Sequence, residues 1–250
     1  MSGHSHWATT HRQKDVNDAK RAAVFTKYGR NIIVAAQHGG GNPDTNFALR
    51  LAIDQARTVN MPKDNIDRAI KRGTGELKDG ATIEDILYEG YLPVRSLAKA
   101  GGPDNVAMLI QTTTDNRNRT VSEIKSLFTK ANGKIGAIGS VAFLFKQVGE
   151  IIIDHSGKDR DTAELDAIDA GAEDTEDIEE NILALYVPFE NLKKVKDVLE
   201  EKGYAVKSAG LSYRPIQTVA LDAKAREQYD AFFEQINDHP DVQRVWDNLE

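Results

Sequence analysis

The N-terminal segment gathers side chains of the types that contact nucleic acid. Its histidine, hydroxyl, indole and basic side chains are those of His4, Ser5, His6, Trp7, His11, Arg12 and Lys14. Basic side chains neutralise phosphates, and an indole ring can stack on an unpaired base. The segment is therefore predicted to be a basic arm that becomes ordered on its target. One alternative stays open: Trp7 anchors the terminus on its own helical domain, because a lone tryptophan often lies in a core.

Metal binding by the same segment is not favoured. His4, His6 and His11 have no cysteine or carboxylate beside them that would complete a closed metal site. We expect these histidines to contact phosphate or solvent, and we expect no metal ion.

The next basic residues lie on predicted helices. Apolar residues of the segment 15–38 recur with helical periodicity, and Lys20, Lys27 and Arg30 fall on the opposite face. A second helix is predicted over 46–60, and a third begins at Pro62, a favoured first helical position. The basic residues towards the end of the third helix are Arg68, Lys71 and Arg72. Three short amphipathic helices predict a small helical bundle.

A second polar site is predicted between a strand and a helix, in the run Asp115-Asn116-Arg117-Asn118-Arg119-Thr120. Arg117 and Arg119 could hold a phosphate beside the helix N-terminus, where backbone N–H groups favour anions. In the alternative, Asn118 or Thr120 caps the helix and the arginines pair with carboxylates of the same chain. The sequence alone leaves both interpretations open.

Catalytic motifs are incomplete in this chain. Gly73-Thr74-Gly75 begins a dinucleotide-binding pattern without a preceding strand, and Ser156-Gly157-Lys158 lacks the upstream glycine of a phosphate-binding loop. Asp154-His155-Ser156 holds the residue types of a triad, but neighbouring strand residues point to opposite faces. There is no cysteine, which excludes thiol nucleophiles and thiolate metal sites. We therefore expect no enzymatic activity, no cofactor and no small-molecule substrate.

Strands and helices alternate after residue 80, which predicts an α+β protein. A buried strand at 106–111 precedes a helix at 120–130, and strands at 141–145 and 150–154 are predicted to pair through a turn near Gly149. The acidic run 173–180 is interpreted as a solvated loop. The remaining predicted elements are helices over 161–171, 190–202 and 223–237 and strands over 182–187, 205–213, 217–221 and 242–246. Their order over 135–213 indicates a split βαβ, or ferredoxin-like, arrangement.

Three domains are predicted from this order of elements. A basic helical domain spans 1–78, and an α+β domain spans 79–134 plus 214–250, because the C-terminal elements form no sheet of their own. A second, acidic α+β domain over 135–213 is inserted into the first one. The fold class is therefore α+β, with a small helical bundle followed by two ferredoxin-like domains.

The charge distribution agrees with one dedicated polyanion-binding region. Residues 1–75 hold 12 Lys+Arg and 6 Asp+Glu, residues 76–150 hold 9 and 9, and residues 151–250 hold 11 and 24, so the charges +6, 0 and −13 sum to −7. An acidic remainder repels phosphate and so restricts contact to one end. In the alternative, both charged regions are solvated faces and the imbalance is accidental, and charge alone leaves both interpretations open. The sequence shows no apolar leader and no run of about 20 apolar residues that would span a bilayer. We expect a cytoplasmic protein without a membrane partner.

Several ordered motifs of this chain resemble the YebC family. They are Gly3-His4-Ser5-x-Trp7, Asp18-Ala19-Lys20-Arg21, Phe25-Thr26-Lys27, Gly39-Gly40-Gly41, Asn60 to Ile66, Arg68 to Gly75, Tyr88-Glu89-Gly90-Tyr91, Thr114 to Thr120, Gly139-Ser140-Val141 and Val242-Gln243-x-Val245-x-x-Asn248. The resemblance runs nearly end to end. It implies three domains, with the third inserted into the second, a cytoplasmic location and no known cofactor.

The resemblance also implies which residues contact nucleic acid. The positions that match the family are His4, Ser5, Trp7, Lys20, Arg21, Lys27, Lys63, Arg68, Lys71 and Arg72. Two departures stand out. His6 occupies a position that is usually lysine, and residues 92–105 replace a shorter glycine-rich loop, of which Gly101-Gly102-Pro103 keeps only a trace. Contacts that the glycine loop makes in the family are therefore not carried over to this chain.

These observations predict a non-catalytic, nucleic-acid-binding regulator of gene expression. Members of the YebC family are described as probable transcriptional regulators, and one is a mitochondrial translational activator. We favour a ribosome- or RNA-associated translation factor that contacts rRNA or tRNA. The alternative is a DNA-binding transcriptional regulator at promoter DNA, although no predicted helix has the Asn, Gln and Arg array that reads base edges in the major groove.

Overall fold

The computed structural model of the protein describes residues 18–77, 83–93 and 105–250, with side chains in the first helix from residue 24 onwards. A helical N-terminal region is followed by two four-stranded antiparallel sheets, each accompanied by helices. This architecture confirms the predicted α+β fold. The described residues 83–146 and 214–250 form one compact unit, and 18–77 and 147–213 form the other. The predicted three-domain boundaries stay a prediction.

The described elements are as follows. The helices are α1 (Asp18–Gly39), α2 (Phe47–Thr58), α3 (Lys63–Gly73), α4 (Arg117–Lys130), α5 (Arg160–Ala170), α6 (Leu192–Glu201) and α7 (Ala223–Asn237). The strands are β1 (Glu84–Pro93), β2 (Asn105–Thr114), β3 (Lys134–Ile135), β4 (Phe145–Asp154), β5 (Asp174–Glu179), β6 (Ile182–Val187), β7 (Ala205–Pro215) and β8 (Val242–Asp247). Short 3₁₀ helices lie at Ala142–Leu144 and Phe189–Asn191.

In the helical region, α1 packs against both α2 and α3. Asn46 joins α1 to α2 because its side chain caps the start of α2, accepting from the Leu49 N–H at 3.1 Å, and donates to the Ala35 carbonyl at 2.7 Å. At the end of α3, a Cβ on Gly73 would lie 2.5 Å from the Ile33 carbonyl oxygen. Glycine therefore allows α3 to approach the α1 backbone closely.

The first sheet has the strand order β3-β1-β2-β8. Its core packs α4 and α7 against the strands, and Phe128 meets Phe232 edge to face at 5.0 Å between ring centroids. A Cβ on Gly90 would lie 2.5 Å from the Phe128 ring. Gly90, and with it Tyr88 in the same core, therefore faces the helices, whereas the intervening Glu89 faces the opposite side of the sheet.

The second sheet has the order β5-β6-β4-β7, and its chain order β4-α5-β5-β6-α6-β7 is that of the predicted split βαβ arrangement. β6 is buried along its whole length, as expected for a central strand of an apolar sequence. Within this unit, Phe47 and Leu51 of α2 pack against the core formed by the sheet, α5 and α6. The Gln55 side chain also donates to the Ala209 carbonyl at 3.4 Å.

Predictions of local structure were wrong in the segments 141–154 and 217–221. The segments 141–145 and 150–154 are not a strand pair, since 142–144 is a 3₁₀ turn and Phe145–Asp154 is one strand. Gly149 makes no turn; a Cβ there would lie 2.8 Å from the Val187 side chain, so glycine serves close packing. The segment 217–221 forms only an isolated bridge, from Val219 to Leu249.

The acidic run is a strand rather than a solvated loop, with β5 at the edge of the second sheet. An edge strand tolerates charges because one side faces solvent. Asp177 pairs with Arg160 at 2.9 Å, and the Tyr186 hydroxyl donates to Glu176 at 2.9 Å. Cations and hydroxyls of neighbouring elements therefore offset part of the negative charge of β5, the feature for which this segment was interpreted as a loop.

Candidate nucleic-acid interface

The outward face of α3 carries exposed cations. Ile66 and Ala69 are buried on the inner face, whereas Lys63, Arg68 and Lys71 are exposed. Arg72, one residue beyond Lys71, is half-buried. Asp64 and Asp67 also lie on the exposed side, so α3 holds four basic and two acidic side chains. Lys71 and Arg72 stand in the last turn, where the helix dipole favours positive charge. This face is the main cationic surface among the predicted contact residues whose side chains are described.

The predicted contacts on α1 are less accessible. Tyr28, Ile32 and Ile33 are buried on the side that faces the bundle. Lys27 and Arg30 are half-buried, and both take part in polar or electrostatic interactions within the chain. They therefore stand at the border of the packed face rather than on a fully exposed one.

The predicted arm falls outside the described residues. Its members are His4, Ser5, Trp7, His11, Arg12 and Lys14. Lys20 and Arg21 lie near the start of α1, and their side chains also fall outside the described part of the chain. Their contacts with nucleic acid stay predictions.

The motif at the start of α4 is held by contacts within the chain. Asn116, not Asn118 or Thr120, provides the cap, because its side chain accepts from the Arg119 N–H at 3.1 Å. The Arg119 guanidinium donates to Asp241 at 2.8 Å and to Asp115 at 3.0 Å. The hydrogen bond from Arg119 to Asp241, together with the nearby negative charge, raises the pKa of Arg119. The intramolecular alternative is therefore realised for Arg119, whereas Arg117 in the first turn is exposed.

Asp241 is the centre of this motif. Asp241 is fully buried. Its carboxylate accepts from the Thr120 hydroxyl at 2.6 Å, from the Thr114 hydroxyl at 3.2 Å and from Arg119. Its backbone carbonyl accepts from the Thr113 N–H at 2.8 Å. A buried carboxylate is tolerated only when it is hydrogen-bonded and paired. Sequence reasoning missed Asp241, which lies far along the chain from the motif that it organises.

Glu89 is the second buried carboxylate that sequence reasoning missed. It is 4% exposed, and it accepts from the backbone N–H groups of Gly139, Val141 and Ala142 at 2.5, 2.5 and 2.9 Å. Burial by itself raises the pKa of Glu89, but the three N–H donors outweigh it, so the pKa lies below the usual value. Two of the quoted motifs, Tyr88-Glu89-Gly90-Tyr91 and Gly139-Ser140-Val141, thus meet at one carboxylate.

One group of possible metal ligands occurs among the described residues, Glu123, His239 and Asp241. Both ring nitrogens of His239 are engaged: Nδ1 accepts from the Asp241 N–H at 3.2 Å, and Nε2 lies 2.9 Å from a Glu123 carboxylate oxygen. The Asp241 carboxylate is held by Arg119 and two threonines. These contacts would have to break before a metal ion could bind, so the group is a hydrogen-bonded network.

The consecutive residues Asp154, His155 and Ser156 form no triad. The Asp154 carboxylate accepts from the Ser156 N–H at 2.9 Å and pairs with Lys207 at 2.9 Å. The hydrogen bonds from Ser156 and Lys207 lower the pKa of Asp154. His155 is buried, and its Nδ1 faces the Lys158 carbonyl at 3.3 Å. The three side chains serve a turn and an ion pair.

Comparison with known proteins adds the wider context. The family model of the TACO1/YebC protein N-terminal domain matches residues 5–76, and that of the TACO1/YebC second and third domain matches residues 83–249. A protein of Dictyoglomus turgidum named "Probable transcriptional regulatory protein" is 42% identical, with 100% of this chain and 96% of the relative covered. One of Thermotoga maritima with the same name is 45% identical, with 100% and 94% covered.

A solved structure also matches. The crystal structure of a conserved hypothetical protein from Aquifex aeolicus superposes with a TM-score of 0.83 at 39% identity, covering 93% of this chain and 91% of that one. Among the helices described here, none combines the length and the apolar character needed to cross a membrane. The match of both family models and of full-length relatives leads to one conclusion: the chain belongs to the TACO1/YebC family.

Proposed function

We propose that the protein is a non-catalytic regulator of gene expression that binds nucleic acid through the outward face of α3. The observation that carries the proposal is the pair of exposed lysines Lys63 and Lys71 on a helix whose inner face is buried. Lysine and arginine side chains neutralise phosphates and release counterions, which supplies most of the sequence-independent affinity. The helical region thus offers a polyanion site on a chain with net charge −7.

RNA in the setting of the ribosome is the favoured partner, either rRNA or tRNA. Asp64 and Asp67 share the exposed side of α3 with the cations. A helix that enters a DNA major groove brings its outward face between two phosphate backbones, where carboxylates are repelled unless they meet a cytosine amino group. A helix lying across an RNA surface can direct its cations to phosphates and leave its carboxylates in solvent. We place the protein in the cytoplasm, where ribosomes are found.

The test is co-sedimentation of the full chain with ribosomes across a salt series. The variant Lys63→Glu with Lys71→Glu reverses two exposed charges on α3. The matched control, Lys193→Glu with Lys194→Glu, reverses two exposed lysines on α6. We expect wild type and control to bind with affinity that falls steeply with salt, and the α3 variant to bind weakly with a shallower salt dependence. Equal binding by all three proteins would contradict the α3 site.

The second candidate is DNA-binding transcriptional control, favoured by the names of the full-length relatives. Those relatives are called probable transcriptional regulatory proteins. If wild type does not co-sediment with ribosomes at low salt but protects a defined promoter segment from nuclease, this second function replaces the first. The same two double variants then test whether the DNA contact uses α3.

A further inference from the structure

The loop that follows β3 presents large apolar side chains to solvent. Ile138 is 90% exposed and Phe143 is 66% exposed. Ile216 is 65% exposed, and its N–H donates to the Leu144 carbonyl at 2.8 Å, which brings it to the end of the same loop. Single exposed apolar residues are common, but three around one loop indicate an interaction surface. We call residues 136–144 the clamped loop.

The clamped loop is held by hydrogen bonds to two side chains of β1 and to its backbone. Glu89 accepts from three backbone N–H groups of the loop, and the Glu89 carbonyl accepts from the Gly136 N–H at 2.8 Å. The Tyr91 hydroxyl donates to the Ser140 carbonyl. Gly139 has φ of 84°, a conformation that glycine adopts without strain. The exposed side chains are therefore presented on a fixed backbone, which reduces the entropy lost on binding.

A cation stands beside the loop. Lys134 pairs with Tyr91 in the β1–β3 register, so both side chains lie on the sheet face where Tyr91 meets the loop. Lys134 is exposed. The surrounding segment 131–149 is free of Asp and Glu, and its two lysines are Lys134 and Lys146. The segment thus carries only positive formal charge on an acidic chain, and it is complementary to a polyanion.

We propose that the clamped loop binds single-stranded nucleic acid, with Phe143 stacking on an unpaired base, Ile138 packing beside it and Lys134 contacting phosphate. Aromatic rings next to cations are the arrangement that binds unpaired bases without strong sequence preference. This inference rests on the proposed function for the presence of a nucleic-acid partner, and it adds a second contact surface in the other compact unit. RNA and DNA share the chemistry, and the experiment separates them.

A protein partner fits the same surface less well. A stable protein interface buries about 800 Å² on each partner around a packed apolar centre. Three side chains spread around one loop supply only part of that area. A stacked base needs one exposed ring and one cation for its phosphate: Phe143 supplies the ring, and Lys134, two residues before the loop, supplies the cation.

The experiment measures fluorescence anisotropy of labelled oligouridylate and oligothymidylate of about 20 nucleotides, longer than the roughly 4–16 nucleotides that one binding fold covers. The loop variant is Ile138→Ala with Phe143→Ala in the full chain. The matched control is Leu165→Ala with Ile168→Ala on α5, whose side chains are 63% and 52% exposed. A thermal melt of each protein verifies that it is folded.

We expect the loop variant to bind about 5- to 150-fold more weakly, the range for loss of one base–aromatic stack, and the control to bind like wild type. Phe143→Trp should bind as tightly as wild type or more tightly, because indole stacks at least as well as phenyl. Lys134→Gln should lower the slope of log affinity against log salt by about 0.7, the value for one phosphate contact on a single strand. Tighter binding of oligouridylate identifies RNA as the ligand of the loop, and tighter binding of oligothymidylate identifies DNA.

Two outcomes would overturn the inference and leave the proposed function standing. In one, the loop variant binds both oligonucleotides like wild type while Lys63→Glu with Lys71→Glu binds weakly. In the other, the loop variant loses a self-association that sedimentation velocity detects in wild type without nucleic acid, so the loop is a protein interface. Failure of wild type to bind either oligonucleotide or ribosomes would reject both proposals together.

Discussion

Two regions of the molecule use the same residue types in opposite ways. On α3, Lys63 and Lys71 lie on the solvent side of a helix that is anchored by apolar packing. At the start of α4, Arg119 is bound by Asp115 and by the fully buried Asp241. Both regions are motifs rich in charge, and both resemble the family pattern. A cation is available to a partner only where the fold does not already supply it with a carboxylate.

The buried carboxylates explain why the second region looks functional in sequence. Glu89 and Asp241 each collect several donors, and those donors come from quoted motifs. Such networks make several residues depend on one another, so a polar motif arises from folding alone. Substitutions at single residues can separate charges that hold the fold from charges that meet a partner.

The largest expected effect is that of Arg119→Ala. The change leaves the Asp241 carboxylate buried without its cation, and we expect the free energy of unfolding to fall by about 3 kcal/mol, the lower end for one partner of a buried pair. The effect stays at that lower end because Arg119 is itself 41% exposed and two threonine hydroxyls remain. Urea denaturation measures it. Asp115→Ala removes the partner of Arg119 that lies at the surface, and it should lower the free energy of unfolding by less than about 1 kcal/mol. Equal costs for both variants would show that Asp241 is not the centre of the motif.

Glu89→Gln should lower the free energy of unfolding by about 2 kcal/mol, within the range for hydrogen bonds to a charged group. In wild type, both carboxylate oxygens of Glu89 accept from backbone N–H groups. Glutamine keeps one acceptor oxygen, but it replaces the other by an NH₂ group, which cannot accept from an N–H group. Urea denaturation at neutral pH measures the difference. Glu84→Gln at the exposed start of the same strand is the control, and it should leave the unfolding midpoint unchanged.

The same variant has a pH signature. Because the folded-state pKa of Glu89 lies below its usual 4.5, the ionised carboxylate stabilises the fold above about pH 4.5, and that contribution is lost as the pH falls through the folded-state pKa. Wild type should therefore lose stability below pH 4.5 more steeply than Glu89→Gln, and the gap between them should narrow. Parallel unfolding curves through this range would contradict the assignment.

Local patterns predicted the regular parts of the fold well. The bounds of β6 and α7 agree with the predicted segments because β6 is an unbroken apolar run and α7 has clear helical periodicity and a cap at Asp222. β1 was not predicted, since its residues Glu84, Asp85 and Glu89 disrupt an apolar pattern. β5 was mistaken for a loop because its acidic side chains are offset by cations and hydroxyls from other elements.

The candidate interface was only partly predictable for a related reason. Exposure of Lys63 and Lys71 follows from helical periodicity, which is local. The engagement of Arg119 depends on Asp241, and the immobilisation of the clamped loop depends on Glu89, both distant in sequence. Only the tertiary structure brings such carboxylates to their donors.

Gly73→Ala tests the placement of α3. The added methyl would lie 2.5 Å from the Ile33 carbonyl oxygen and 2.6 Å from the Ala36 side chain, so α3 must shift away from α1. We expect a cost of about 1–3 kcal/mol, as for overpacking elsewhere, together with weaker ribosome binding. The control is Gly75→Ala, where φ is positive but an added methyl would meet open space. This variant strains the turn after α3 without pushing α3 away from α1. Full binding by Gly73→Ala would show that the cations of α3 act independently of its position on α1.

The smallest effect on stability is expected where the effect on binding is largest. Lys63→Glu with Lys71→Glu alters only exposed side chains, so the free energy of unfolding should change by no more than about 0.5 kcal/mol. The same variant should bind ribosomes less well and with a shallower salt dependence. Urea denaturation and salt-dependent co-sedimentation, run on one preparation, give both values. If the variant instead unfolds as readily as Arg119→Ala, the α3 cations hold the fold, and the distinction between the two regions fails.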